Sequence, residues 1–268
     1  MSTILDEIVA TKRTEVERAR ATRPLPELRS RIGDLPQPRN FRQAITAAPP
    51  HGIHLIAEIK QRSPSAGLIR ADFDPAKLAT IYELAGASAI SVLTDGPYFG
   101  GELGFLRVVK EAADLPVLRK DFIVDPYQVY ESRVAGADAI LLIGEVLPVG
   151  LLADLLTLAG ELNLTALVEV HEVDVLLRIR SLIGEPHQSY SLLGINNRDL
   201  KVQRVDLNTT ARLAGLAEPG TVIVSESGVH TRKDVIHLQA AGASALLVGE
   251  TLLKAPDPAE KIAELLGS

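Results

Sequence analysis

Eight short runs dominated by Leu, Ile, Val and Ala recur along the chain: HLIAEIK, SAISVL, LPVLRK, DAILLI, TALVEV, SLLGIN, TVIVSE and SALLVG. Measured between Ile56, Ser91, Leu118, Leu141, Val168, Gly194, Ile223 and Leu247, their spacings are 35, 27, 23, 27, 26, 29 and 24 residues. Each interval has room for one strand, one helix and two loops. The intervening segments PAKLATIYELAG, DPYQVYESRVAG and TRKDVIHLQAAG repeat apolar residues at three and four, the period of an amphipathic helix. Ala-Gly-Ala precedes a strand three times, at 85–87, 135–137 and 241–243. Each glycine falls where a helix ends and the chain turns with positive φ.

Eight such units predict an α/β fold of the (β/α)8 TIM-barrel kind, with residues 1–268 forming a single barrel domain. An open doubly wound sheet fits less well, because no Gly-x-Gly-x-x-Gly fingerprint follows the first strand. With 46% hydrophobic residues but only 4% aromatic, the core must be aliphatic, which suits parallel strands covered by helices. Residues 1–50 precede the first strand and read as an N-terminal helical extension. Ile4, Leu5, Ile8 and Val9 mark a helix, and the proline-rich stretch Pro24 to Pro38 reads as a linking segment.

The composition narrows function. A net charge of -6 and the absence of tryptophan argue against a nucleic-acid partner. No cysteine is present, so disulfides, thiolate metal sites and a cysteine nucleophile are excluded. The amino terminus lacks a signal-peptide pattern and no run reaches about 18 apolar residues, so no membrane partner is expected and the cytoplasm is the expected location. Histidines 51, 54, 171, 187, 230 and 237 show no metal-binding spacing, so neither metal nor cofactor is expected.

In a barrel the chemistry lies at the carboxyl ends of the strands. Glu58 and Lys60 share one face of the first strand, either as a structural ion pair or as an acid–base or substrate-binding pair. Lys120 shares a face with Leu118 while Arg119 points the other way, so one cation enters the mouth, as proton donor or, once deprotonated, as Schiff-base nucleophile. Glu169 closes an apolar strand, where an inward carboxylate is costly unless it meets a lysine or a ligand, and it is a general-base candidate. His171 reads as a helix cap or a solvent-facing residue. Ser63, Ser65, Asn196, Arg198 and Glu226 also fall at strand ends. Ser227, Gly228, Gly249 and Glu250, after strands seven and eight, offer backbone amides where such barrels hold a phosphate.

The segments ILDEIVATKRTEVE, IAEIKQRSPSAG, TDGPYFGG, LRKDFIVDPYQ, LVEVH, GINNRDL, SESGV and LLVGE, in this order, resemble the indole-3-glycerol phosphate synthase family over nearly the whole chain. The resemblance implies conversion of 1-(2-carboxyphenylamino)-1-deoxyribulose 5-phosphate to indole-3-glycerol phosphate, carbon dioxide and water, without a cofactor, in tryptophan biosynthesis. It further implies that Lys120 is the general acid, that Glu169 moves protons in closure and dehydration, and that Glu58 and Lys60 assist dehydration and hold substrate. Asn196 and Arg198 would orient hydroxyl and carboxylate, with Ser63, Ser65 and Glu226 at the substrate. Phe99, Phe122, Leu141 and Leu200 would enclose the aromatic ring.

Two departures stand out: the long stretch RSLIGEPHQSYSLLG before strand six, and Val202-Gln203 in place of the more usual Thr-Phe. A lysine-dependent aldolase and a non-catalytic phosphate-ligand barrel are the competing readings. An isomerase of the same pathway would need a cysteine base, which the chain lacks. Association with other enzymes of the pathway has no sequence signature.

Overall fold

The computed structural model describes residues 3–49, 51–184, 191–199 and 204–268. Eight parallel strands close into a barrel: β1 (His54–Ile59), β2 (Ala89–Leu93), β3 (Val117–Lys120), β4 (Ala139–Ile143), β5 (Thr165–Val170), β6 (Ser191–Asn196), β7 (Ile223–Glu226) and β8 (Ala245–Val248). Every strand foreseen in the sequence is present, and β1 completes the ring by pairing with both β2 and β8. Gly86, Gly136 and Gly242 adopt φ of +91°, +95° and +98°, so the repeated Ala-Gly-Ala does end helices in the left-handed region.

The extension differs in detail from its reading as one helix and a linker. It contains α1 (Ile4–Thr22), α2 (Leu25–Ile32) and α3 (Phe41–Thr46). Pro24 caps α2 and Pro26 sits in its first turn, where backbone N–H groups have no intrahelical partner, so the prolines start this helix instead of preventing it. Thr3 and Asp6 form a reciprocal capping box on α1, and Asn40 caps α3. Phe41 and Ile45 of α3 are fully buried, packing with Ile56, Ala89 and Leu118 against the floor of the barrel.

Interior residues rise in tiers contributed by alternate strands. Ala89, Ala139, Leu192 and Ala245 form one, Ile56, Leu118, Leu167 and Val224 the next, and all are buried. Above them lie Ser91, Leu141, Gly194 and Leu247 from the even strands. The register then brings Glu58, Lys120, Glu169 and Glu226, from β1, β3, β5 and β7, to one level. The stack thus changes from aliphatic to charged within a single tier, at the carboxyl end of the strands. The outward faces pack on the surrounding helices in two aliphatic layers.

The helix Val173–Ile179 runs into a 3-10 turn at Arg180–Leu182, and Gly184 follows with φ of +91°. The unusual stretch before β6 therefore ends its helix by a tightened turn in place of Gly-Ala. Its remaining residues 185–190, together with Leu200, Val202 and Gln203, lie outside the described residues. Among the described residues no helix is long and apolar enough to cross a membrane.

Candidate active site

The charged tier forms the floor of a cavity of about 250 Å³ at the carboxyl end of the barrel. Lys120 Nζ donates to Glu226 Oε2 at 2.5 Å and to Glu169 Oε2 at 3.1 Å. Asn196 Nδ2 donates to Glu169 Oε1 at 3.1 Å, and Lys60 Nζ to Glu58 Oε1 at 2.5 Å. Glu58, Glu169 and Glu226 are each less than 5% exposed. Three buried carboxylates thus surround one ammonium, with Lys60 a second cation nearer the rim.

This imbalance sets the protonation states. Burial opposes the charge on Lys120, but Glu169, Glu226 and Glu58 together outweigh it and hold the ammonium well above the ordinary lysine range. Burial also opposes ionisation of Glu169, yet Lys120 and the Asn196 amide overcome it and lower its pKa. Glu226 goes the other way: burial, and then the charge on Glu169 against the attraction of Lys120, push it up to about 8. Near neutral pH Glu226 is therefore protonated and Glu169 ionised, both against the Lys120 ammonium.

One wall is apolar. Phe99, at the end of the short helix Gly96–Phe99, and Phe122, just after β3, have ring centroids 6.1 Å apart, and Leu141, Leu93, Ile143 and Leu247 extend the wall. Ile4, Leu5 and Ile8 of α1 close it from above. These three were read from the sequence only as a helix pattern. That they reach into the cavity depends on how α1 docks, which local periodicity does not reveal.

The opposite wall is polar and rich in backbone. Ser227 and Gly228 both have positive φ, +67° and +85°, which turns the chain sharply after β7. Gly249 precedes the short helix Glu250–Lys254. Arg198 Nη2 lies 3.9 Å from Glu250 Oε2, while the Glu250 carboxylate accepts from Lys254 Nζ at 2.6 Å. Ser63 and Ser65 stand on the loop after β1, their hydroxyls 3.4 Å apart, and Ser63 Oγ also accepts from Ala66 N. All the residues singled out in the sequence thus line one cavity, except Leu200, which lies outside the described residues. His171 is turned away: its Nδ1 lies 2.8 Å from the Asn196 carbonyl oxygen, and the residue anchors the β5 loop to β6.

A second buried charge cluster escaped the sequence reading. Lys12 of α1 is 4% exposed, and its Nζ lies 3.0 Å from both Asp95 Oδ1 and Asp121 Oδ1. Asp121 follows Lys120 directly; it accepts from Phe122 N at 2.8 Å and pairs through Oδ2 with Arg119. Asp95 accepts from Tyr98 N at 2.9 Å, capping the short helix that carries Phe99. One lysine on α1 thereby ties together three walls of the cavity. A lone lysine in a run of mixed charges, ATKRTEVERAR, carries no signal that it will be buried.

The comparisons with known proteins concern the chain as a whole. The description "Indole-3-glycerol phosphate synthase" matches residues 5–265. The indole-3-glycerol phosphate synthase of Rhodospirillum rubrum is 46% identical over 268 residues, covering all of both chains. That of Rhodopirellula baltica is 47% identical over 255 residues, 95% of each. Among solved structures, 3-hexulose-6-phosphate synthase from Salmonella typhimurium superposes with a TM-score of 0.62 at 16% identity, over 80% of this chain and 97% of that one. Orotidine 5'-phosphate decarboxylase from Pyrococcus horikoshii does so with a TM-score of 0.57 at 14% identity, over 79% and 97%. The last two likenesses speak for the barrel alone, whereas the match along the whole sequence establishes that the chain belongs to the indole-3-glycerol phosphate synthase family.

Proposed function

We propose that the chain converts 1-(2-carboxyphenylamino)-1-deoxyribulose 5-phosphate to indole-3-glycerol phosphate, releasing carbon dioxide and water. The observation that carries the residue assignments is the single protonated lysine held between Glu169 and Glu226 at the foot of a cavity that is apolar on one side and amide-rich on the other. Ring closure forms a bond from the aromatic carbon to the sugar carbonyl carbon and puts negative charge on the carbonyl oxygen. A cation fixed there stabilises the transition state more than the ground state. Lys120 is the acid that protonates this oxygen. Loss of carbon dioxide returns its bonding electrons to the ring, and dehydration then completes the indole.

Glu169, kept ionised by Lys120 and Asn196, takes the proton that the sugar-derived methylene carbon beside the nitrogen loses during dehydration. Glu58 with Lys60 assists departure of the hydroxyl as water, and Glu226, Asn196 and Arg198 hold the substrate hydroxyls and carboxylate. Phe99, Phe122 and Leu141 enclose the aromatic ring, and Leu200 is assigned to the same pocket by the resemblance. Ser227, Gly228, Gly249 and Glu250 hold the phosphate through backbone amides, the Glu250 carboxylate being engaged with Lys254. Ser63 and Ser65 cover the substrate from the first loop.

The same charge balance speaks against a Schiff-base aldolase, whose lysine must be neutral to attack, while here three carboxylates hold Lys120 as the ammonium. A phosphorylated sugar substrate, which does not cross membranes unaided, supports work in the cytoplasm. The test is a continuous assay of indole-3-glycerol phosphate fluorescence on purified protein, without added metal or cofactor. Turnover that is lost in Lys120→Ala supports the reading; substrate binding without turnover in the intact protein would reduce it to a binding barrel.

A further inference from the structure

Glu226 is the member of the charged tier whose carboxyl is least well paired. Its Oε2 takes the Lys120 ammonium, while Oε1 is buried and has no hydrogen-bond partner. That oxygen occupies the place where a side chain from β6 would stand. Gly194 is the interior β6 residue in the tier below, registered with Glu169 on β5 and Val224 on β7. A Cβ added at Gly194 would overlap Glu226 Oε1 and press at 3.3 Å on both Glu169 Cα and Leu167 Cδ1.

Gly194 does not have positive φ, so the backbone there needs no glycine. A glycine inside a strand weakens it, and its usual reason is the close approach of another group. Here that group is the Glu226 carboxyl. Gly249 stands in the same relation to Glu58 on the other side, where an added Cβ would overlap Glu58 Oε1. Gly249, however, also begins a loop-to-helix turn, whereas Gly194 lies in mid-strand with no turn to make.

We infer that Gly194 is a positioning residue for the reaction: its bare Cα opens a slot in the barrel wall into which the Glu226 carboxyl drops, level with Lys120 and Glu169. The inference rests on the placement of Glu226 in the active site. The titratable groups facing Glu226 are Lys120 from β3 and Glu169 from β5, with Glu58 from β1 across the tier. Its neighbours β6 and β8 present Gly194, Asn196, Leu247 and Gly249 inward, none of which titrates. Filling the slot lifts Glu226 towards solvent, which relieves the burial that raises its pKa.

The test compares the full-length protein with Gly194→Ala, Glu226→Ala and the double variant, by two readouts. The first is the carboxyl titration of Glu226 in protein labelled with carbon-13 at the glutamate δ-carbon, the signal being assigned by its loss in Glu226→Ala. In Gly194→Ala it should fall by about one pH unit or more. The second is the single-turnover rate. Gly194→Ala should slow the intact protein by about tenfold or more, yet cost less than about twofold in the Glu226→Ala background, because the group it displaces is already gone. An unchanged titration, or an equal loss in both backgrounds, would overturn the inference. If Gly194→Ala does not fold, the double variant, from which the colliding carboxyl has been removed, should; failure of both overturns the slot. Wild-type turnover in Glu226→Ala would instead remove Glu226 from the site, while the titration still reports whether Gly194 governs its burial.

Discussion

The molecule contains two buried lysine–carboxylate clusters that adjoin at Lys120 and Asp121, and they are built to opposite specifications. On the flank a carboxylate, Asp121, lies between two cations, Lys12 Nζ at 3.0 Å and Arg119 Nη2 at 2.8 Å, and Asp95, Glu15 and Glu131 each lie within 3.0 Å of one of them. In the mouth an ammonium, Lys120, lies between two carboxyls, Glu169 at 3.1 Å and Glu226 at 2.5 Å, while Glu58 pairs with Lys60. A carboxylate held by two cations fixes positions. A carboxyl that shares its one cation with a second carboxylate keeps a proton in play, because it remains protonated at pH values where carboxyls ordinarily ionise.

Removing the central lysine from each cluster should separate these roles. Lys120→Ala should lower the chemical rate by about 10²–10⁴-fold, the contribution of a positioned acid, while the protein stays folded. A near-wild-type rate in the fluorescence assay would take Lys120 out of the reaction. Lys12→Met should do the reverse. Stripping one partner from a buried ion cluster costs about 3–5 kcal/mol of stability, which chemical denaturation would measure, and turnover at saturating substrate should change far less. A stability loss under about 1 kcal/mol would mean that the flank cluster does not hold α1 to the barrel.

The pH dependence should also have opposite signs at Asp121 and at Glu226. Burial opposes ionisation of Asp121, but Arg119 and Lys12 hold its pKa below that of the unfolded chain. Its contribution to stability is therefore present above about pH 4 and is lost as pH falls through the folded value. Glu226 has its folded pKa raised to about 8, so between the unfolded value and pH 8 the folded state binds more protons and stability declines as pH rises. Glu226→Gln should accordingly gain stability over wild type at pH 8 and show a smaller gain at pH 5, whereas Asp121→Asn should be destabilised at both. Parallel melting curves at the two pH values test this; a Glu226→Gln gain that is the same at both would show that the carboxyl is not held protonated.

How much of this could be read in the chain differs between the same two clusters. The mouth was legible because Glu58, Lys120, Glu169 and Glu226 each end an aliphatic run, and period two sends each of them inward. The closure of eight strands into a barrel followed from their spacing, whereas the sharing of one tier by those four residues depends on the register between strands, which spacing does not carry. The flank was not legible. Lys12 sits among Arg and Glu on a helix whose polar residues look solvated, and its burial depends on α1 docking over loops about a hundred residues away. α2 was hidden for another reason, since prolines that start a helix look, in composition, like prolines that break one. Gly194 was quoted inside GINNRDL, but a strand glycine declares its purpose only when the atom occupying its empty space is known.

The smallest predicted effect joins the two regions. α1 carries Lys12 into the flank cluster and, one to two turns earlier, Leu5 into the apolar wall of the cavity. Leu5 is only partly buried and caps the ring pocket instead of filling the core. Truncating it removes about 1 kcal/mol of apolar contact with a bound aromatic ring, equivalent to about fivefold in affinity. Leu5→Ala should therefore raise KM by about that factor with kcat and stability nearly unchanged. Lys12→Met, which loosens the same helix from its anchor, should raise KM as well but lose stability with it. Were Leu5→Ala to lower kcat and leave KM alone, α1 would be acting on the charged tier and not on the ring, and the division between a flank that holds and a mouth that reacts would have to be redrawn.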